Sequence, residues 1–178
     1  LEKETGRSWG IRHCANSGGV VNYREMALDM VRPGLLLYGL YPGAERGGLD
    51  LKPVMTVLTR VSEITEHRAG DTISYGRTFT CERDMRLAVI PVGYADGLPR
   101  RLSGVMDVLI NGRRAREVGT ICMDMCMVDI TGMDDVRVGD MVTVFGQGLS
   151  VDEQAAKAGT ISYELLCAVS PRVPRVYV

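Results

Sequence analysis

The pattern of apolar and polar positions changes once along the chain. Up to about residue 45, helix-like and strand-like segments alternate. A helical stretch ends at Gly10, and the apolar segment Ile11–Ala15 predicts a strand. Asn16-Ser17-Gly18-Gly19 then makes a turn that can cap a short helix through Tyr23. This alternation is typical of the last βα units of a parallel α/β structure.

From about Lys52 the pattern is that of β-strands. Val54–Glu66 alternates apolar and polar residues and predicts one long strand. Asn111-Gly112 lies between two strand-like runs and is a strong hairpin signal, because both residues tolerate positive φ. The other predicted strands are Arg86–Val92, Met106–Ile110, Ile121–Ile130, Met141–Phe145 and Arg175–Val178, and the predicted helices are Val151–Ala158, capped by Ser150, and Ser162–Val169.

The change of pattern predicts two domains. We expect residues 1–45 to be the end of an α/β structure and residues 46–178 to be a mainly β domain, which its many short strands favour as a small barrel. The glycine-containing stretch from Pro42 to Gly48 is the expected linker.

The composition limits the kinds of binding partner to expect, but it says little about the reaction. With a net charge of −1 and 46% apolar residues, the chain gives no electrostatic reason to expect nucleic acid or a membrane surface as a partner. No apolar stretch approaches the roughly 20 residues of a membrane helix. Five cysteines without a Cys-x-x-Cys pair, and two histidines, do not suggest a metal site. Reduced cysteines in a cytoplasmic protein are the expectation.

Two segments near the start could hold an anion. Asn16-Ser17-Gly18-Gly19 opens a helix, so its N–H groups and the Ser17 hydroxyl could bind phosphate. Arg32-Pro33-Gly34-Leu35 could form a second rim of that site. The alternative is an ordinary capped helix followed by an ordinary turn.

Four later segments also carry polar or aromatic residues that packing does not require. They are Ser74-Tyr75-Gly76, Gly93-Tyr94-Ala95-Asp96-Gly97, Cys122-Met123-Asp124 and Tyr163. Each has an ordinary explanation by itself: a packing tyrosine, a β-turn, a core strand with one exposed acid, and an exposed aromatic residue at a helix start.

Taken together and in this order, the motifs resemble those of alanine racemases. The resemblance extends from the first dozen residues to Arg172-Val173-Pro174-Arg175. The segments that carry it are His13-Cys14-Ala15-Asn16-Ser17, Arg32-Pro33-Gly34-x-x-x-Tyr38-Gly39, Ser74-Tyr75-Gly76, Gly93-Tyr94-Ala95-Asp96-Gly97, Gly119-x-Ile121-Cys122-Met123-Asp124 and Tyr163-Glu164.

The resemblance implies a fold-type III racemase that depends on pyridoxal 5'-phosphate. In that family an N-terminal α/β (TIM) barrel precedes a C-terminal β domain, and a homodimer shares each active site between two chains. This chain would then hold the last barrel strands and the β domain. The family's Schiff-base lysine lies in a motif that is absent here, since Lys3, Lys52 and Lys157 have other surroundings. We therefore expect these residues to be inactive without the missing N-terminal half.

The resemblance also assigns the cofactor contacts. Ser17, the backbone of Gly34 and Leu35, and the Tyr163 hydroxyl would bind the phosphate. Arg32 would face the pyridine nitrogen. Because arginine only donates hydrogen bonds, it would keep that nitrogen unprotonated and make the ring a poorer electron sink, which limits side reactions.

By the same resemblance, Tyr75 would be one of two bases that act on opposite faces of the substrate. A free tyrosine titrates near pH ~10, so a base role at neutral pH needs a nearby cation, which a polar network reaching Arg32 would supply. The Met123 amide would contact the substrate carboxylate, while Tyr94 and Asp124 would narrow the access route. Such a pocket fits alanine, and serine remains a possible second substrate because a hydroxyl group changes selectivity only modestly.

The expected activity is therefore interconversion of L- and D-alanine, which feeds cell-wall (peptidoglycan) synthesis. Alternatives are a serine or other amino-acid racemase, a barrel-type pyridoxal decarboxylase and a non-catalytic β-domain dimerisation module. The decarboxylases use a cysteine-containing motif that the segments 93–97 and 122–124 do not resemble.

Overall fold

A computed structural model describes residues 2–178, which separate into two compact units. The first extends to Met55 and the second comprises Thr56–Val178. No helix in this described range is long and apolar enough to cross a membrane.

The first unit contains three short helices, α1 (Glu2–Thr5), α2 (Ser17–Asn22) and α3 (Gly34–Leu37). The prediction that α2 is capped at its N-terminus is confirmed, because the Asn16 side chain accepts a hydrogen bond of 3.0 Å from the Gly19 N–H.

Two predictions for this unit are wrong. The helical stretch ends at Thr5 and not at Gly10, and the turn that follows places Gly6 at a φ of 63°. Residues 11–15 do not form a strand, since the described residues supply only one isolated parallel bridge there, between Asn16 and Arg32. A strand needs a continuous hydrogen-bonded neighbour, and one bridge does not provide it.

The second unit is built mainly from antiparallel strands. Seven of its nine strands form one sheet in the order β1-β9-β6-β7-β8-β5-β2, and β3 pairs with β4 in a separate hairpin. The strands are β1 (Val57–Arg60), β2 (Glu63–His67), β3 (Thr72–Ile73), β4 (Phe79–Thr80), β5 (Met85–Ile90), β6 (Asp107–Ile110), β7 (Arg113–Val118), β8 (Cys126–Asp129) and β9 (Met141–Phe145).

The sheet curls because its two end strands, β1 and β2, are consecutive in the chain. Only Val61 and Ser62 separate them. The Val61 N–H donates to Asp140 next to β9, and the Ser62 N–H donates to Val89 in β5, both at 2.9 Å. The prediction of one strand over 54–66 is therefore wrong. The segment forms two strands, because the chain changes its pairing partner between Val61 and Ser62.

Of two further predictions in this unit, the hairpin is confirmed and one strand starts later than predicted. The hairpin at Asn111-Gly112 is confirmed, with φ values of 51° and 74° that suit a tight two-residue turn. The strand predicted from Ile121 starts only at Cys126, because the Cys122 N–H donates to the Met125 carbonyl at 2.9 Å and closes a turn.

The end of the chain also differs in part from the prediction. Two helices, α4 (Val151–Lys157) and α5 (Ser162–Ala168), are confirmed. Ser150 caps α4 by accepting a hydrogen bond from the Asp152 N–H at 3.1 Å. The strand predicted over 175–178 does not form, and the Arg175 guanidinium instead donates to main-chain carbonyl groups of residues 169–173.

The core of the second unit contains one buried carboxylic acid. Glu117 in β7 is fully buried, and one of its carboxyl oxygens accepts a hydrogen bond from the Gly104 N–H. Its Oε1 atom has no hydrogen-bond partner among the described residues. Burial raises the pKa of Glu117 to about 7, although the Gly104 N–H and the Arg116 charge act in the opposite direction.

We expect Glu117→Gln to remove a pH-dependent loss of stability. The pKa of Glu117 is about 7 in the native state, compared with 4.5 for an unperturbed glutamate. Between these two pH values the native state holds a proton that the unfolded state has lost, so the free energy of unfolding falls as the pH rises. The amide cannot ionise. Relative to the parent, the variant should therefore gain about 2.5 kcal/mol between pH 5 and pH 8, measured by urea unfolding.

The exposed Glu66 in β2 provides the matched control. Glu66→Gln should change stability little at either pH. An equal effect of Glu117→Gln at pH 5 and pH 8 would show that the Glu117 carboxyl has the same charge in the native and unfolded states.

Candidate active site

The two segments of the first unit that the sequence assigns to phosphate lie together. Ser17 is the first residue of α2, and its Oγ accepts hydrogen bonds from the N–H groups of Leu35 at 3.0 Å and Leu36 at 3.4 Å. Ser17 and Leu35 are both buried. A hydroxyl group and main-chain N–H groups thus converge on one point, and that donor set suits an anionic phosphate.

Arg32 lies beside this point. Its main-chain N–H donates to the Ala15 carbonyl at 2.9 Å, which fixes it next to the segment that leads into α2. Its guanidinium contacts His13 Nδ1 and donates to the Cys14 carbonyl at 3.5 Å. Because arginine can only donate, Nδ1 of His13 is the acceptor. Sequence reasoning gave His13 no role, although it begins the first motif.

The Gly93–Gly97 loop is held by close main-chain approaches. A Cβ atom on Gly93 would lie 2.3 Å from the Cys122 carbonyl oxygen, and one on Gly97 would lie 2.1 Å from the Ala168 carbonyl oxygen. Gly97 also has a φ of 103°. Both positions therefore require glycine.

Asp96 organises the same loop. One carboxylate oxygen accepts a hydrogen bond of 2.9 Å from the Gly93 N–H, and the other lies 3.0 Å from Nε of Arg172. Sequence reasoning missed this role, although an aspartate three residues after Gly93 has the spacing of a capping residue.

This loop joins the Cys122-Met123-Asp124 segment through the main chain. The Tyr94 N–H donates to the Cys122 carbonyl at 3.1 Å, and the Ala95 N–H donates to the Met123 carbonyl at 2.9 Å. Within residues 2–178 the Met123 N–H makes no hydrogen bond, so it is available to an external acceptor. Asp124 is exposed and forms no ion pair in that range.

Tyr75 stands on the loop between β3 and β4, with its side chain 76% exposed. The preceding residue, Ser74, has φ 68° and ψ 176°, a conformation that only glycine adopts easily and that costs roughly 1–3 kcal/mol for other residues. The Ser74 hydroxyl donates to the Thr120 carbonyl at 2.7 Å. The Tyr75 loop is thereby connected to the segment that leads to Met123.

The structure thus groups most of the residues that the sequence singled out. Ser17, Arg32, Gly34 and Leu35 come together in the first unit, and the loops of Tyr75, Tyr94 and Met123 are linked in the second. Tyr163, in α5, is 39% exposed and makes no side-chain hydrogen bond within residues 2–178.

Among residues 2–178, no three His, Cys, Asp or Glu side chains lie close enough together to hold a metal ion. All five cysteines are free.

The chain matches two family models along almost its whole length. The model for the alanine racemase C-terminal domain matches residues 54–177, and the model for the alanine racemase N-terminal domain matches residues 1–42. The chain belongs to the alanine racemase family. This confirms the family resemblance of its motifs.

Individual members of the family show the same similarity. The alanine racemase of Desulforamulus reducens is 48% identical over 99% of this chain and 48% of its own length. A solved alanine racemase of Clostridium difficile 630 has a TM-score of 0.92 at 38% identity and covers 99% of this chain and 47% of its own. That of Bartonella henselae with covalently bound pyridoxal phosphate has a TM-score of 0.86 at 36% identity, covering 92% and 46%.

These matches have two consequences. They confirm the predicted fold class, a mainly β chain that carries the C-terminal β domain of a fold-type III racemase. The chain also spans about half the length of the relatives it matches.

We expect Gly97→Ala to lower the free energy of unfolding by more than an alanine substitution at a positive-φ glycine that has room for the methyl group. The new methyl group would meet the Ala168 carbonyl oxygen, and φ is unfavourable for alanine. The expected loss is about 3 kcal/mol in urea unfolding.

Gly70→Ala is the matched control. Gly70 has a φ of 92°, and no atom lies within 4 Å of the position that the alanine methyl group would occupy, so only the backbone term of about 1 kcal/mol applies. Equal losses for the two variants would mean that Gly97 is not in contact with α5.

Proposed function

We propose that the complete protein is an alanine racemase that uses pyridoxal 5'-phosphate and interconverts L- and D-alanine. The observation that carries the proposal is the exposed Tyr75, fixed on a strained loop that is hydrogen-bonded to the segment bearing the free Met123 N–H. Family membership and the names of the relatives support the choice of substrate.

The first unit would hold the cofactor. The phosphate would be bound by the Ser17 hydroxyl, the backbone of Gly34 and Leu35, and the Tyr163 hydroxyl, and the Gly34 N–H would have to leave the Arg32 carbonyl, to which it donates at 2.9 Å. The convergence of the Leu35 N–H on Ser17 supports this assignment. When bound, pyridoxal phosphate supplies an electron-accepting ring that acidifies the α-hydrogen of an amino acid. Arg32 would donate a hydrogen bond to the ring nitrogen and keep it unprotonated.

Tyr75 would move the proton on one face of the substrate α-carbon, and a second base would serve the other face. Inversion needs a proton removed from one face and another delivered to the opposite face, and two fixed bases do this without turning the substrate. Met123 would donate its N–H to the substrate carboxylate. Tyr94 and Asp124 would narrow the access route, so that the small side chain of alanine is preferred.

We also propose how this chain contributes to an assembly. Residues 1–45 would complete the cofactor-binding barrel, and residues 46–178 would form the C-terminal β domain, a division supported by the separate family-model matches to 1–42 and 54–177. In a homodimer, Tyr75 would serve the partner's active site. The five free cysteines suit a cytoplasmic protein. The D-alanine that the enzyme makes would supply cell-wall synthesis.

Tyr75→Phe in the full-length protein should lower racemisation of alanine by about 10²–10⁴-fold, because the phenyl ring cannot carry the proton. The second base remains. In D₂O, the variant should therefore still exchange the α-hydrogen of one alanine enantiomer without inverting it. Both rates are measurable by NMR and chiral chromatography.

Tyr177→Phe is the control for loss of a tyrosine hydroxyl, because Tyr177 is 93% exposed and outside all the motifs. It should leave both rates unchanged. Racemisation at the parental rate in Tyr75→Phe would exclude the two-base role of Tyr75.

Residues 1–178 alone should be inactive on L-alanine with added pyridoxal phosphate, and activity should appear when the rest of the racemase chain is supplied. None of the three lysines stands in the family's cofactor motif. Lys157 is moreover engaged in ion pairs, at 2.5 Å to Asp107 and 3.0 Å to Glu153.

The contrary result would be activity from residues 1–178 alone. It would mean that Lys3, Lys52 or Lys157 holds the cofactor. Replacing each with alanine would then identify which one.

A further inference from the structure

We propose that Thr120 is a positioning residue that sets where Tyr75 stands relative to the Met123 N–H. The inference rests on the proposed function, in which Tyr75 is a base and the Met123 N–H binds the substrate carboxylate. Thr120 itself would touch neither substrate nor cofactor.

Thr120 is buried and contacts the Tyr75 loop at three points. Its carbonyl accepts the hydrogen bond from the Ser74 hydroxyl at 2.7 Å, before Tyr75 in the chain. Its own hydroxyl lies 2.8 Å from the Thr78 hydroxyl and 3.4 Å from the Tyr75 carbonyl oxygen. Because a carbonyl only accepts, the Thr120 hydroxyl donates to Tyr75 and accepts from Thr78.

These contacts matter because nothing else described in the structure fixes the Tyr75 side chain. It is 76% exposed and makes no hydrogen bond within residues 2–178. Its direction therefore depends on its backbone. That backbone lies between two residues with positive φ, Ser74 at 68° and Gly76 at 75°. For Ser74, which is not a glycine, such a conformation persists only where the surroundings hold it.

Gly119 lets Thr120 come close enough to do this. It has a φ of 86°, and a Cβ atom at this position would lie 2.7 Å from Cβ of Ser74. The strained loop and the Gly119-Thr120 segment are thus in direct contact, and the contact has no room for a side chain.

The same segment continues to the proposed substrate contact. Three residues after Thr120, the Met123 carbonyl accepts the Ala95 N–H at 2.9 Å, which fixes the main chain there. One short segment, residues 120–123, therefore contacts the Tyr75 loop at one end and carries the Met123 N–H at the other. A change in the Thr120 contacts would shift Tyr75 while the Met123 N–H stays in place, and small errors of orientation lower the rate of a proton transfer strongly.

The test compares Thr120→Val with Thr120→Ser in the full-length protein. Valine keeps the shape of threonine and leaves the main-chain bond to Ser74, so it removes only the hydroxyl contacts to Tyr75 and Thr78. We expect kcat for alanine to fall about 5- to 20-fold with KM changed less than twofold, since substrate binding does not depend on the hydroxyl. Serine retains the hydroxyl and should restore most of the rate.

Three further measurements separate positioning from a merely structural role. In D₂O, Thr120→Val should slow α-hydrogen exchange on the face served by Tyr75 and leave the opposite face unchanged. In a Tyr75→Phe background it should have no further effect, because it acts through Tyr75. Thr143→Val, in β9, is the control for replacing a threonine in this unit and should leave kcat unchanged.

The outcomes distinguish the two proposals. If Tyr75→Phe leaves racemisation intact, the proposed function itself fails. If Tyr75→Phe is slow but Thr120→Val is fully active, or slows both faces equally, or adds to the loss in Tyr75→Phe, Thr120 does not position Tyr75 and this inference is overturned.

Discussion

The change of pairing partner between Val61 and Ser62 is the constraint on which the β unit depends. Val61 is hydrogen-bonded beside β9 and Ser62 to β5, so the two ends of the seven-stranded sheet are joined within two residues. A sheet with ends this close must curl, and it then has fewer open edges to pair with other chains.

The curled sheet provides a frame for loops that carry exposed side chains. Tyr75, Tyr94 and Met123 are all exposed, and each is positioned through its own main chain. Hydrogen bonds link the Tyr75 loop to Thr120 and the Tyr94 loop to residues 122–123. Hydrogen bonds to the main chain of these loops restrict their backbones and leave the exposed side chains open to a ligand, which a packed core would not allow.

This arrangement explains which features could be predicted from the sequence. Asn16, Ser150 and Asn111-Gly112 follow local rules of capping and turn formation, and the structure has them as predicted. The break at Val61 was not predicted. Val57 and Val61 keep the two-residue period of one strand face and Ile64 lies three residues further on, but only the distant pairing partners decide where the strand divides. Thr120 was missed for a similar reason: it acts on Ser74 through a carbonyl group, 46 positions away, and leaves no pattern in the sequence.

The Tyr75 loop combines a strained backbone at Ser74 with an exposed side chain at Tyr75. Its flanking strands place Ile73 and Phe79 in an apolar cluster with Leu87 and Val118. Burial of such side chains contributes roughly 1.5–3 kcal/mol each, which is enough to offset the backbone strain at Ser74. Packing of the two strands therefore fixes the ends of the hairpin, while Tyr75 at its turn remains exposed. A loop fixed in this way can carry a strained residue and still leave an exposed tyrosine open to a ligand.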